Sequence, residues 1–162
     1  MRIIAYLPFF LYINNLTYIS QIGYNTKIKI IKKDFIMQHQ VEFLNLVEEL
    51  RPHVNELSVE QVKQKLDSGD NLQVIDVRED YEWQHGCVPN AIHLSKGVIE
   101  RDIEALITDK QKPLVLYCSG GFRSIISAYN LQKMGYVNVW SMSGGLRNWM
   151  AIDYPIVPVA NK

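Results

Sequence analysis

The chain has 162 residues, of which 48% are hydrophobic and 21% are charged, and these proportions are typical of one soluble globular domain. Its formal net charge is zero, with a basic excess in residues 1–36 and an acidic excess after them, which argues against a nucleic-acid partner. Two cysteines are too few for a disulfide framework, and the scattered histidines do not have zinc-site spacing. We therefore expect a small-molecule or protein partner, a reducing cytoplasmic compartment, and neither metal nor other cofactor.

Residues 1–36 differ in pattern from the rest of the chain. Their apolar run at residues 3–13 is interrupted by Pro8 and is too short to cross a membrane as a helix. We predict that residues 1–36 form an N-terminal extension, poorly ordered or weakly membrane-proximal, before a single domain of residues 37–162. Three alternatives stay open at this point: a dispensable upstream tail, membrane contact through residues 3–22, and a signal for export.

Two helices are predicted at the start of the domain. The stretch 41–54 carries an apolar stripe at helical spacing and should end near Pro52. The residues of that stripe are Val41, Leu44, Val47 and, at its end, Leu50. Ser58 followed three residues later by Gln61 predicts a capping box that opens the second helix, and Gly69 predicts its end.

Short apolar runs then alternate with helical stretches. The runs at residues 72–77, 114–117 and 137–142 are typical of strands buried on both faces. Helices are predicted over residues 98–107 and 125–135. This alternation predicts an α/β fold with a parallel sheet covered by helices on both faces, and a ligand site outside the carboxyl ends of the strands.

The sequence LVLYCSGGFRS places one cysteine, Cys118, where the second of these strands ends and a helix near Ser124 begins. Gly120 and Gly121 allow the intervening loop to curl until its backbone N–H groups face the sulfur. Arg123 adds a positive charge that could also hold an incoming oxyanion. Because the thiolate is the nucleophilic form of cysteine, this loop predicts a reactive residue in an anion-binding nest.

Three stretches in this order, IDVREDYEWQHGCVPNAIHL, LVLYCSGGFRS and WSMSGGLRNW, resemble the signature motifs of the rhodanese family of sulfurtransferases. The resemblance implies a five-stranded parallel sheet and a Cys118 that carries a sulfane sulfur as a persulfide. It implies a small donor such as thiosulfate, and an acceptor that is cyanide, a thiol or a sulfur-carrier protein. The residues implied to bind the substrate follow the cysteine directly: Ser119, Gly120, Gly121, Phe122, Arg123 and Ser124.

Other polar residues near the motifs have more than one interpretation. Asp76 and Arg78 follow a buried strand and are predicted to support the site, with contact between Arg78 and an anionic substrate as the alternative. Cys87 stands where relatives often have histidine, and it is either a small buried hydrophobic residue or a resolving thiol for Cys118. The stretch 143–149 predicts a turn into a short helix whose Trp149 packs on the core.

Competing functions share the same loop. One is a persulfide carrier or redox-sensing module without turnover. The other is a cysteine phosphatase or arsenate reductase, whose loops place five residues between cysteine and arginine. Here four residues separate Cys118 from Arg123, which favours one additional sulfur atom over a phosphate.

Overall fold

The computed structural model describes residues 39–159. The predictions made for residues 1–36, including membrane contact through residues 3–22, concern residues outside that range. Across residues 39–159, no helix combines the length and the apolar character needed to cross a membrane.

In the described part of the chain, five parallel strands form one sheet. They are β1 (Asn55–Leu57), β2 (Gln73–Asp76), β3 (Ile92–His93), β4 (Leu114–Tyr117) and β5 (Val139–Met142). The strand order is β1-β5-β4-β2-β3, so β4 lies at the centre between β5 and β2. This arrangement confirms the predicted α/β class and parallel sheet. The three predicted strands correspond to β2, β4 and β5, whereas the edge strands β1 and β3 have only three and two residues.

Six α-helices of residues 39–159 accompany the sheet. They are α1 (Val41–Leu50), α2 (Val59–Asp67), α3 (Asp80–Trp83), α4 (Ile99–Leu106), α5 (Phe122–Lys133) and α6 (Gly145–Ala151). The predicted capping box opens α2, because the Gln61 N–H donates to Ser58 Oγ and the Ser58 N–H donates to Gln61 Oε1. Gly69 follows α2 with a φ of +75°, as expected for a glycine that ends a helix.

The helices and the sheet bury two hydrophobic clusters, one on each face. The first combines residues of α1, α4 and α5 with one side of β4: Val47, Ile103, Ile125, Leu114 and Leu116. The second combines α2 and α6 with the other side of β4: Val62, Leu146, Trp149, Val115 and Tyr117. Alternate residues of β4 therefore face opposite clusters, as the pleat of a strand requires. The prediction that Trp149 packs on the core is confirmed, since its side chain is fully buried.

One predicted feature of α1 is wrong. Val41 was placed on the buried stripe, but it is 68% exposed. The face of α1 that contacts the first cluster consists of Phe43, Val47 and Leu50. Val47 and Leu50 were in the predicted stripe and are confirmed, whereas Phe43 was not in it. Leu44 was in the stripe, but it is not among the residues that pack against the cluster. The helical period was therefore right, and the amino-terminal end of the stripe was wrong.

Candidate active site

Cys118 lies directly after β4, at the carboxyl end of the central strand. Cys118 is only 1% exposed, and its Sγ accepts a hydrogen bond from the Gly121 N–H at 3.2 Å. Gly121 has a φ of +88° and caps α5, which begins at Phe122, ahead of the predicted start near Ser124 or residue 125. The first backbone N–H groups of a helix have no partner within the helix. The amino end of α5 therefore meets the loop that holds the sulfur.

Ser124 contributes a hydroxyl group beneath the sulfur. Its Oγ lies 3.9 Å from Cys118 Sγ and donates to the Gly121 carbonyl at 3.1 Å. The same Oγ shares a 2.8 Å hydrogen bond with Ser141 Oγ, and both serines are fully buried. Ser141 lies on β5 and was not among the predicted residues. The pair gives the buried side of the loop a polar lining.

The first turn of α6 contacts the loop between β4 and α5, residues 118–121, from a second side. We call these residues the cysteine loop. The Leu146 N–H donates to the Cys118 carbonyl at 2.8 Å, and the Arg147 N–H donates to the Ser119 carbonyl at 3.0 Å. A Cβ on Gly145 would lie 2.2 Å from the Cys118 carbonyl oxygen, so only glycine allows this approach. The sequence predicted a turn and a short helix at residues 143–149, but not their contact with the cysteine loop.

An acidic side chain, Glu82 of α3, binds two of the predicted substrate-binding residues. Arg123 donates to both of its carboxylate oxygens, Nη1 to Oε2 at 2.6 Å and Nη2 to Oε1 at 2.9 Å. Ser119 Oγ donates to Oε1 at 2.6 Å. Glu79 adds a second carboxylate 3.5 Å from Arg123 Nη1. The charge of Arg123 is therefore already compensated within the protein.

These hydrogen bonds control the ionisation of Glu82. Burial raises the pKa of its carboxyl group, but the hydrogen bonds from Arg123 and Ser119 outweigh burial and lower the pKa to about 2. The same hydrogen bond to Glu82 raises the pKa of Arg123. Glu82 and Arg123 are thus both charged throughout the range in which proteins usually function.

This ionisation predicts a pH dependence of stability. The folded pKa of Glu82 lies below its ordinary value of 4.5, so its contribution is complete above pH 4.5 and is lost as the pH falls toward 2. We expect Glu82→Gln to be destabilised relative to wild type above pH 4.5, with the difference shrinking toward pH 2. Thermal unfolding of both proteins across this range measures it. A difference that stays constant with pH would contradict the assigned ion pair.

Asp76 and Arg78 lie behind the loop as a buried ion pair. Arg78 Nη2 donates to Asp76 Oδ2 at 2.6 Å and to the Gly86 carbonyl at 2.7 Å, while Nη1 donates to the Glu82 carbonyl at 3.1 Å. Burial lowers the pKa of Arg78, and the Asp76 carboxylate outweighs this and raises it. With a residue exposure of 4%, Arg78 holds the backbone of the α3 segment and is not directed toward solvent.

Cys87 is buried beside the carboxy-terminal segment, where its backbone forms two hydrogen bonds with Val157. The next residue, Val88, donates its N–H to Tyr117 Oη at 3.1 Å. Tyr117 packs in the cluster on one face of the sheet, whereas Cys118 packs in the cluster on the other. Burial raises the pKa of the Cys87 thiol. These observations favour the small hydrophobic residue over the resolving thiol.

The two histidines of the first motif contact backbone carbonyls. His85 Nδ1 pairs with the Tyr81 carbonyl at 2.7 Å, and His93 Nε2 pairs with the Arg78 carbonyl at 2.8 Å. Among residues 39–159, neither histidine makes a hydrogen bond to Cys118. A cysteine–histidine hydrolase arrangement therefore has no support in the described part of the chain.

Comparison with known proteins identifies the family. Residues 58–152 match the family described as Rhodanese-like domain, and because the match covers more than half of the chain, the chain belongs to that family. The match includes the three motifs on which the sequence resemblance rested, and the structure has the five-stranded sheet that the resemblance implied. The family membership and the five-stranded parallel fold are therefore both confirmed.

Three relatives have sulfur-related descriptions, and a fourth is described as a tRNA hydroxylase. YtwF of Bacillus subtilis, described as a candidate sulfurtransferase, is 35% identical over 96 residues, which cover 59% of this chain and 90% of YtwF. A sulfurtransferase of Allochromatium vinosum is 30% identical over 104 residues, 64% of this chain and 95% of that protein. YrkF of Bacillus subtilis, described as a candidate sulfur carrier protein, is 31% identical, and the match spans 59% of this chain and 51% of YrkF. The matched region makes up only 26% of a tRNA uridine(34) hydroxylase of Photorhabdus laumondii.

Solved structures share the fold. Protein RPA3614 of Rhodopseudomonas palustris, titled a possible tyrosine phosphatase, has a TM-score of 0.67 at 24% identity and covers 74% of this chain and 98% of that one. A thiosulfate sulfurtransferase of Pseudomonas aeruginosa has a TM-score of 0.63 at 23% identity and covers 74% of this chain and 23% of that one. At these identities the similarity establishes the architecture alone.

Proposed function

We propose that this protein is a sulfurtransferase that carries a sulfane sulfur on Cys118 as a persulfide. The observation that carries the proposal is the position of Cys118 Sγ, which accepts the Gly121 N–H at the amino end of α5. Backbone N–H groups and a helix N-terminus stabilise negative charge on sulfur. Sulfurtransferase relatives about 30–35% identical support the same reaction class.

The proposed reaction has two steps. The Cys118 thiolate attacks the outer sulfur of a donor such as thiosulfate, the donor S–S bond breaks, and sulfite leaves with the bonding electrons. A nucleophilic acceptor, cyanide or a thiol, then attacks the outer sulfur, and Cys118 leaves as the thiolate. The persulfide carries its charge on the added sulfur. By this proposal the backbone N–H groups of residues 119–123 hold that charge, and the Gly121 N–H that already contacts Cys118 Sγ supports this role.

The decisive experiment replaces the proposed sulfur carrier. We expect Cys118→Ser in the full chain to reduce thiosulfate:cyanide transfer to the uncatalysed background, because a hydroxyl cannot form the persulfide. Mass spectrometry should show one added sulfur atom on the Cys118 peptide of wild type after thiosulfate treatment. Cys87→Ser is the matched control and should retain both signals. Transfer that persists in Cys118→Ser would contradict the proposal.

A persulfide carrier is the second candidate, because YrkF is described as a sulfur carrier. Stoichiometric formation of the persulfide without turnover by cyanide or small thiols would favour this candidate, with a partner protein thiol as acceptor. A phosphatase is disfavoured because four residues separate Cys118 from Arg123 and because Glu82 occupies the Arg123 guanidinium. We expect no hydrolysis of an aryl phosphate.

The proposal also covers the bounds of the domain, its location in the cell and the residues that support the site. We propose that residues 37–162 form the functional domain and residues 1–36 an extension. A cytoplasmic location is proposed because the reaction needs Cys118 as a reduced thiolate. Asp76 and Arg78 are proposed as supporting residues, since their hydrogen bonds hold the segment that carries Glu82.

A further inference from the structure

A sulfur donor such as thiosulfate is an anion, and its charged group needs a cationic partner near Cys118. Arg123, in the first turn of α5, is bound by both oxygens of Glu82 and lies close to Glu79. A donor could use Arg123 only by competing with a carboxylate that is already in place. A different cation is therefore needed to bind the charged group of the donor.

A second arginine, Arg147 of α6, lies on another side of the same loop. Its backbone N–H donates to the Ser119 carbonyl at 3.0 Å, which ties the start of its side chain to the loop. Its Nη2 lies 2.6 Å from the position that a Cβ on Gly120 would occupy. The side chain is exposed, and within residues 39–159 it forms no ion pair.

Gly120 is the loop residue that the Arg147 guanidinium approaches. Unlike Gly121, it does not have a φ in the left-handed region, so its backbone conformation does not require glycine. A side chain at residue 120 would instead displace Arg147 Nη2, the end of a flexible exposed side chain, from this position and would press against the Phe122 ring at 3.3 Å. The absence of a side chain thus leaves space for a guanidinium group over the loop.

We propose that Arg147 binds the anionic group of the sulfur donor, while Arg123 acts with Glu82 to position the loop. This inference rests on the proposed transfer reaction for its biological substrate, but the electrostatic assignment can be measured without turnover. The two arginines beside the loop differ in charge compensation: Glu82 neutralises Arg123, whereas no carboxylate within residues 39–159 pairs with Arg147. Arg147 is therefore the cation that can bind an incoming anion. The donors selected in this way are small anions such as thiosulfate.

The test compares two reagents that alkylate Cys118 and differ in charge. Iodoacetate is an anion and iodoacetamide is neutral, and in each case the thiolate displaces iodide. Peptide mass spectrometry of the full chain separates alkylation of Cys118 from that of Cys87. We expect Arg147→Gln to lower the iodoacetate rate at Cys118 about five-fold, the upper range for one exposed charge, and to change the iodoacetamide rate less than about two-fold.

Two variants control for charge. Arg147→Lys keeps the positive charge and should retain most of the iodoacetate rate. Arg101→Gln removes the same charge from α4, where Arg101 pairs with the neighbouring Asp102, and should leave both rates unchanged.

In the transfer assay, Arg147→Gln should raise KM for thiosulfate by a similar factor with little change in kcat.

The outcomes separate this inference from the proposed function. An unchanged ratio of iodoacetate to iodoacetamide rates in Arg147→Gln overturns the assignment, even if thiosulfate is turned over. A ratio that falls in Arg147→Gln supports the assignment, even if no variant transfers sulfur and the proposed function fails. A ratio that falls equally in Arg101→Gln overturns it as well, because the effect would then be one of net charge.

Discussion

Replacing Arg78 by methionine is expected to lower the free energy of unfolding by about 3–5 kcal/mol, because it leaves the Asp76 carboxylate buried without its cation. Asp76 is fully buried and Arg78 is 4% exposed, so water cannot take the place of the guanidinium. Urea denaturation measures the change. The loss should be accompanied by weaker transfer activity, since Arg78 also holds the Glu82 and Gly86 carbonyls.

Two matched variants test the cause. Arg101→Met breaks the exposed ion pair with Asp102 and should cost less than about 1 kcal/mol. The double variant Asp76→Asn, Arg78→Met removes both charges and should recover part of the loss, since the cost arises from the unpaired carboxylate. An Arg78→Met protein that is as stable as Arg101→Met would contradict this explanation.

Gly145→Ala is expected to destabilise the protein and to reduce sulfur transfer at least about ten-fold, because displacement of a reacting group by about 1 Å is costly. The new Cβ would lie 2.2 Å from the Cys118 carbonyl oxygen, so either α6 or the cysteine loop must move. Gly145 also has a φ of +57°, which adds about 1–2 kcal/mol of backbone strain for alanine. Chemical denaturation and the transfer assay measure the two effects.

Other glycines separate these two contributions. Gly135 has a φ of +92° with open space around it, so Gly135→Ala should show the backbone strain and little loss of activity. Gly97 has neither a positive φ nor a close neighbour, and Gly97→Ala should be neutral or slightly stabilising. If Gly145→Ala behaved like Gly135→Ala in both assays, the contact between α6 and the cysteine loop would not matter for activity.

The strands that could be predicted are those buried on both faces. β2, β4 and β5 are nearly continuous apolar runs because helices cover them on each side. The residues of β1, Asn55–Leu57, and of β3, Ile92–His93, are too few and too mixed to form such a run. Only the rhodanese resemblance implied five strands. α3 was missed for the same reason, since four residues carry no helical period.

The candidate site divides in the same way. Local sequence was enough to locate the cysteine loop, because the strand, the two glycines and the following helix are consecutive and their backbone geometry follows from short-range sterics. Glu82 was not predicted, although it binds Ser119 from 37 positions away along the chain. Its contact depends on β2 lying beside β4, which brings the segment after one strand next to the loop after the other.

What the sequence by itself determined is therefore the class of fold and the position of the candidate nucleophile, because burial periodicity and turn chemistry are local properties. The family followed from the resemblance of its three motifs. Only the tertiary structure decided which groups surround that nucleophile: Glu82 on Arg123, the first turn of α6 on the loop backbone, and Arg147 over Gly120. These contacts join residues far apart in the chain. They depend on strand order and close packing, which no local pattern encodes.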